Sequence, residues 1–106
     1  MKTMDYGAAA VQAGASGLAA VTGLDQLPAR AQALVTGMRP AGDAQERAVL
    51  LRLLELGFLP GETVRVLARS GLGGDPMAVR IGQATFALRR GEAALVQVRR
   101  HEQAAA

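Results

Sequence analysis

The chain has 106 residues and a formal net charge of +3, and its length suits one domain with a modest core. Apolar residues make up 50% of the chain but aromatic ones only 3%, so the core is expected to be aliphatic, with little room for a cofactor cavity. Cysteine is absent, which excludes disulfides, thiolate catalysis and thiolate metal ligation and suits a reducing compartment, with the cytoplasm the default; no apolar run reaches the length of about 18 residues that a membrane helix needs.

Residues 1–22 are rich in Ala and Gly without a helical stripe, and read as a flexible leader. Asp5, Gln12 and several glycines dilute the apolar stretch that a signal peptide would require. Gln32 to Gly37 has moderate strand character before Arg39-Pro40-Ala41-Gly42 breaks it.

Asp43 followed by Glu46 has the spacing of a capping box and starts a helix over 44–56. Two carboxylates could also suggest a metal site, but at a helix start they have backbone partners and no His or Cys stands near them in sequence. Leu50, Leu53 and Leu54 share one helical face, and Gly57 supplies the left-handed residue that stops it. A Schellman ending would lay Phe58 back on Leu53. Within a few residues the hydrophobic period changes from about 3.6 to 2. Leu59-Pro60-Gly61-Glu62 predicts a type II turn, and Thr63 to Arg69 the strand that follows it.

Ser70-Gly71-Leu72-Gly73-Gly74-Asp75-Pro76 connects this strand to another, Met77 to Ile81. It is not a phosphate loop, because such loops lead from a strand into a helix whose first turn holds the anion, and no lysine follows these glycines. It reads instead as a mobile loop presenting Leu72. Ile81-Gly82-Gln83-Ala84 fits a two-residue type II′ hairpin leading into a strand over 84–88, with Phe86 expected in the core rather than as a base-stacking platform. Arg89 to Ala94 forms a short helical or turn connection to a last strand at Leu95 to Val98, and residues 101–106 are expected to fray.

The ordered set Leu53-Leu54-Glu55-Leu56-Gly57-Phe58-Leu59-Pro60-Gly61, Val64, Val66, Gly74-Asp75-Pro76 and Leu88-Arg89-Arg90 resembles the FeoA family. The similarity runs from Gly23 to Arg99, with Pro28-Ala29 standing where the family carries Pro-Gly. The resemblance implies an SH3-like domain: a mainly β fold of about five strands in a small barrel with one inserted helix, over residues 23–100. It further implies a cytoplasmic accessory protein of the bacterial ferrous-iron transporter FeoB, acting by binding that transporter's cytoplasmic nucleotide-binding domain. No cofactor, nucleic acid partner or membrane insertion follows from it, and weak self-association is left open.

No catalytic constellation stands in the sequence. The single histidine, His101, lies in the expected tail, and Ser16 and Ser70 have no evident base. Ferrous iron favours His and carboxylate ligands in fixed geometry, so no metal site is assigned. Seven of the twelve basic residues (Arg65, Arg69, Arg80, Arg89, Arg90, Arg99 and Arg100) follow the Pro-Gly turn, where they either serve solubility or steer an acidic partner. The partner surface is placed on Leu72, Gly73, Gly74 and Asp75, with Arg89 and Arg90 as a second contact and the outer helix face as the next candidate. The alternative is an SH3-like domain of a metal-responsive regulator or a small basic nucleic-acid-binding module. The scarcity of aromatics disfavours RNA stacking, and no helix-turn-helix pair is legible before Asp43.

Overall fold

The computed structural model describes residues 20–100, so the expected leader lies almost entirely, and the expected tail wholly, outside the described residues. Within them the order is β1 (Val21–Gly23), β2 (Gln32–Met38), α1 (Ala44–Leu56), β3 (Thr63–Arg69), β4 (Met77–Ile81), β5 (Ala84–Leu88), α2 (Arg90–Ala93) and β6 (Val96–Arg100).

Both ends of α1 follow from local chemistry. The Asp43 carboxylate accepts from the Glu46 N–H at 2.8 Å, satisfying one of the first-turn donors. Glu46 reaches back, but its Oε1 accepts from the Gly42 N–H at 2.8 Å, one residue earlier than a strict capping box would place it. At the far end Gly57 sits at φ 114°, its N–H donates to Leu54 O at 3.1 Å, and the Phe58 N–H donates to Leu53 O at 3.1 Å. These are the paired bonds of a Schellman ending, and they swing Phe58 inward, where it and Leu53 are fully buried. The chain then turns through Leu59–Glu62, with the Glu62 N–H bonding Leu59 O at 3.0 Å and Gly61 at φ 95°.

The strands form one antiparallel sheet in the order β1-β6-β2-β3-β4-β5. The mainly β fold with one inserted helix is as expected, and two details refine it. There are six strands rather than five, because Val21–Gly23 pairs with β6; and β1 and β5 are the two edges of the sheet, so the SH3-like barrel does not close. Register shifts between Val35 and Gly37 and between Val66 and Ala68 mark bulges, which bend β2 and β3 and let the sheet curl. The Thr36 hydroxyl, on the bulged residue of β2, donates to Gln97 O at 3.2 Å. At the β4–β5 hairpin Ile81 faces Ala84 and Gly82 has φ 58°, while Gln83 keeps an ordinary φ, as a type II′ turn requires.

Alternation along the strands sends Ala33, Val35, Val64, Val66, Val79, Ile81, Val96 and Val98 into the concave side, and Leu24, Leu27, Leu53, Phe58 and Leu95 close its ends. Phe86 is half-buried beside this core, its ring centroid 6.1 Å from that of Phe58 at a tilt of 51°. The leucine face expected to bury α1 does so only in part. Leu53 is buried, Leu50 and Leu54 are half-buried, and Leu51 is 55% exposed. The helix therefore keeps an apolar strip in water.

Candidate functional site

The two segments that the sequence nominates lie side by side. In the turn Leu72–Gly74 the glycines Gly73 and Gly74 adopt φ 83° and 66°, which aims the Gly73 carbonyl toward α2. The Arg90 guanidinium donates to that carbonyl at 2.7 Å, and the Arg90 N–H donates to the Asp75 carboxylate at 2.9 Å. Asp75 thus acts as an acceptor for the opening of α2, and the loop expected to be mobile is tied at two points to a residue fifteen to seventeen positions downstream. A further constraint comes from Arg69, which donates to Leu27 O and lies so close to Gly74 that a Cβ there would meet the arginine Nε at 2.8 Å. The anchor role expected of the Leu72 side chain lies outside what is described.

Beside this junction an open cleft of about 460 Å³ runs between the start of α1 and the β5–α2 connection. Asp43, Glu46 and Val49 line one wall, and Asp75, Arg89 and Glu92 the other. The four acids look like a cation site until their bonds are traced. Asp43 accepts from Glu46 N–H, Glu46 from Gly42 N–H, Asp75 from Arg90 N–H, and Glu92 from Arg89 N–H at 3.0 Å. Each carboxylate caps a turn or helix, so the cluster is accounted for by local structure. Among the described residues no three His, Cys, Asp or Glu side chains are placed to share a metal ion.

Arg89 is exposed at the cleft rim, and its side chain makes no hydrogen bond among the described residues. Arg52 reaches from α1 to Glu92 at 3.7 Å, a loose pair that links the helix to the second wall. Away from the residues that line the cleft, α1 offers Leu51 and the half-buried Leu54 one helical turn apart. The sequence reading kept this face as a second choice and missed Leu51. Its signal was present, since three leucines in the register 50, 51 and 54 make an apolar arc too wide for a narrow seam to cover.

The arrangement supplies exposed cations and satisfied caps. No helix among the described residues is long and apolar enough to cross a membrane.

Comparisons with known proteins agree with this geometry. The FeoA domain family model matches residues 22–100. The crystal structure of Stenotrophomonas maltophilia FeoA complexed with zinc is 41% identical, superposes with a TM-score of 0.61, and aligns over 72% of this chain and 87% of its own. The solution structure of FeoA from Chlorobium tepidum is 32% identical with a TM-score of 0.61, over 76% and 70% of the two chains. A manganese-dependent transcriptional repressor shares the fold at 22% identity and a TM-score of 0.62, but the match takes in 41% of that protein. No curated protein sequence matches. With the family model spanning β1 to β6 and the S. maltophilia protein alike over most of its length, this chain belongs to the FeoA family of ferrous iron transport.

Proposed function

We propose that this protein is a cytoplasmic accessory factor that docks on the nucleotide-binding domain of the FeoB transporter and supports or regulates iron(II) uptake, without catalysing a reaction itself. The observation that carries the reading is the junction at Arg90. By holding the Gly73 carbonyl and the Asp75 carboxylate together, it joins the 71–75 loop, the start of α2 and the flank of α1 into one continuous surface. On that surface the exposed Arg89 side chain has no acceptor among the described residues, and α1 separately exposes Leu51, features suited to a partner with an acidic rim and a small hydrophobic socket. The S. maltophilia relative is described as a candidate bacterial ferrous iron transport activating factor, which agrees with an accessory role.

Three variants test the surface. Leu51→Ser and Leu72→Ser remove candidate apolar anchors and should speed dissociation from the transporter's soluble domain. Arg89→Glu reverses a charge that the fold does not use, and should slow association and weaken its salt dependence. Arg90 is the wrong residue for this purpose, because its loss would also release the loop. Wild-type iron uptake and wild-type binding rates in all three folded variants would move the interface elsewhere on the domain.

A further inference from the structure

The outer face of the sheet holds a second concavity that shares no residue with the cleft beside α1. It is an open groove of about 450 Å³ lined by Arg30, Arg65, Val66, Leu67 and Arg80. We propose that this groove is a binding site for a phosphate group, with the three guanidinium ions as its ligands.

Each arginine stands where the fold alone would not put it. Arg65 and Arg80 are direct cross-strand partners of β3 and β4, so like charges face each other at a position where opposite or neutral pairs are stabilising. Arg30 has φ 75°, the sole positive φ among described residues other than glycine. It occupies the third position of the turn closed by Ala31 N–H to Pro28 O at 3.2 Å, where glycine sits without strain. The departure from Pro-Gly noted at Pro28-Ala29 therefore falls, in conformational terms, on Arg30. Its own N–H donates to Val66 O at 2.7 Å, and Ala31 O accepts from Val66 N–H at 2.9 Å, which pins Arg30 beside the β3 bulge. That bulge turns both Leu67 and Ala68 outward and breaks the flat surface into a hollow.

Three cations so placed repel one another, and among the described residues no acid pairs with them. Glu62 lines the adjoining groove with Arg65 and Arg80 but lies beyond ion-pair distance of both, since the pair formed by Arg52 and Glu92 is the only one among the described residues. Among the described residues the side-chain hydrogen bonds of the three amount to one, from Arg80 Nε to Gly82 O at 3.5 Å, which leaves the forks of Arg30 and Arg65 without a protein acceptor there. A residue strained in backbone, opposed like charges and a bulge that hollows the same spot are costs that converge on one place, and a doubly charged ligand would offset them. Planar forks recognise phosphate oxygens two at a time, so a phosphate monoester, a pyrophosphate or a phospholipid headgroup supplies the matching chemistry.

The test is a calorimetric titration of the full chain with inorganic pyrophosphate, paired with sedimentation on vesicles of phosphatidylglycerol diluted in phosphatidylcholine. Saturable, salt-sensitive binding is expected with at least one probe. Arg65→Gln and Arg80→Gln should each raise Kd about tenfold, as loss of one charge-assisted pair does. Arg47→Gln, which removes an exposed arginine on α1, should leave Kd unchanged. Arg30→Gly carries the sharpest signature, because it should weaken binding while raising the thermal midpoint, a pairing that a purely structural residue cannot give. Pyrophosphate binding without vesicle binding assigns a soluble phosphate compound, and vesicle binding that depends on the three arginines assigns the headgroup. No saturation with either probe, an equal loss in Arg47→Gln, or tighter binding of an RNA oligomer through the same arginines would overturn the proposal.

Discussion

Replacing Gly57 by valine tests the joint between helix and barrel. Gly57 has φ 114° and ψ 7°, beyond the centre of the left-handed well near about +57°, so a side chain there suffers at least the left-handed penalty of about 1–2 kcal/mol. No heavy atom lies within 4 Å of a Cβ built at this position, so the cost is conformational and crowding adds nothing. The β-branch narrows χ1 and pushes the value upward, while the stiffer unfolded chain returns about 0.4–1 kcal/mol. The net loss is about 1–1.5 kcal/mol. With a urea slope of about 1 kcal/mol per M for so small a domain, the midpoint should fall by about 1 M. The thermal midpoint should fall by about 4–8 °C per kcal/mol. Gly91→Ala is the matched control: Gly91 lies within α2 in open space at an ordinary φ, and alanine there should hold or raise the midpoint. An unchanged urea midpoint and slope in Gly57→Val would show that the helix can end without a left-handed residue, and would refute the account of how Phe58 reaches the core.

Other perturbations separate the roles assigned above. Asp43→Ala removes the acceptor of the Glu46 N–H and should cost about 1 kcal/mol by chemical denaturation, whereas Arg52→Ala, which breaks the loose pair with Glu92, should cost well under 1 kcal/mol. Asp75→Ala should unfasten the loop from α2, seen as faster amide exchange at Arg90, with a loss of about 1–2 kcal/mol. Anaerobic calorimetry with iron(II) should show no stoichiometric binding, because the chain has no cysteine and a single histidine; a one-to-one isotherm that persists after removal of residues 101–106 would contradict this.

What the sequence made legible was whatever its near neighbours decide. The limits of α1 could be read because Asp43 and Gly57 act through bonds to residues within a turn or so of themselves. The Pro60-Gly61 turn and the Gly82 hairpin were readable for the same reason. β1 escaped because Val21–Gly23 carries no alternation of its own and becomes a strand only by pairing with Gln97 to Arg99, far down the chain. The open edge followed from that long-range choice. At the candidate site, the residues were nominated from glycine content and charge, but the Asp75–Arg90 bond that unites them depends on how two loops are brought together. Arg30 gave no warning at all, since an arginine is a poor indicator of a left-handed backbone.

The place of β6 between β1 and β2 also sets a clock for biosynthesis. An interior place in the sheet, next to the edge strand β1, is filled by the described strand that comes last in sequence, and Thr36 meets the carbonyl of Gln97 across 61 residues. On a ribosome adding about 5–20 residues per second, β2 waits about 3–12 s for that neighbour, with one row of its backbone donors and acceptors unpaired. The β3–β4–β5 meander can assemble during the wait, since its strands are joined in sequence order. Nascent chains halted before Val96 should therefore be protease-sensitive throughout β2, and emergence of β6, rather than emergence of α1, should mark the moment at which the domain becomes resistant.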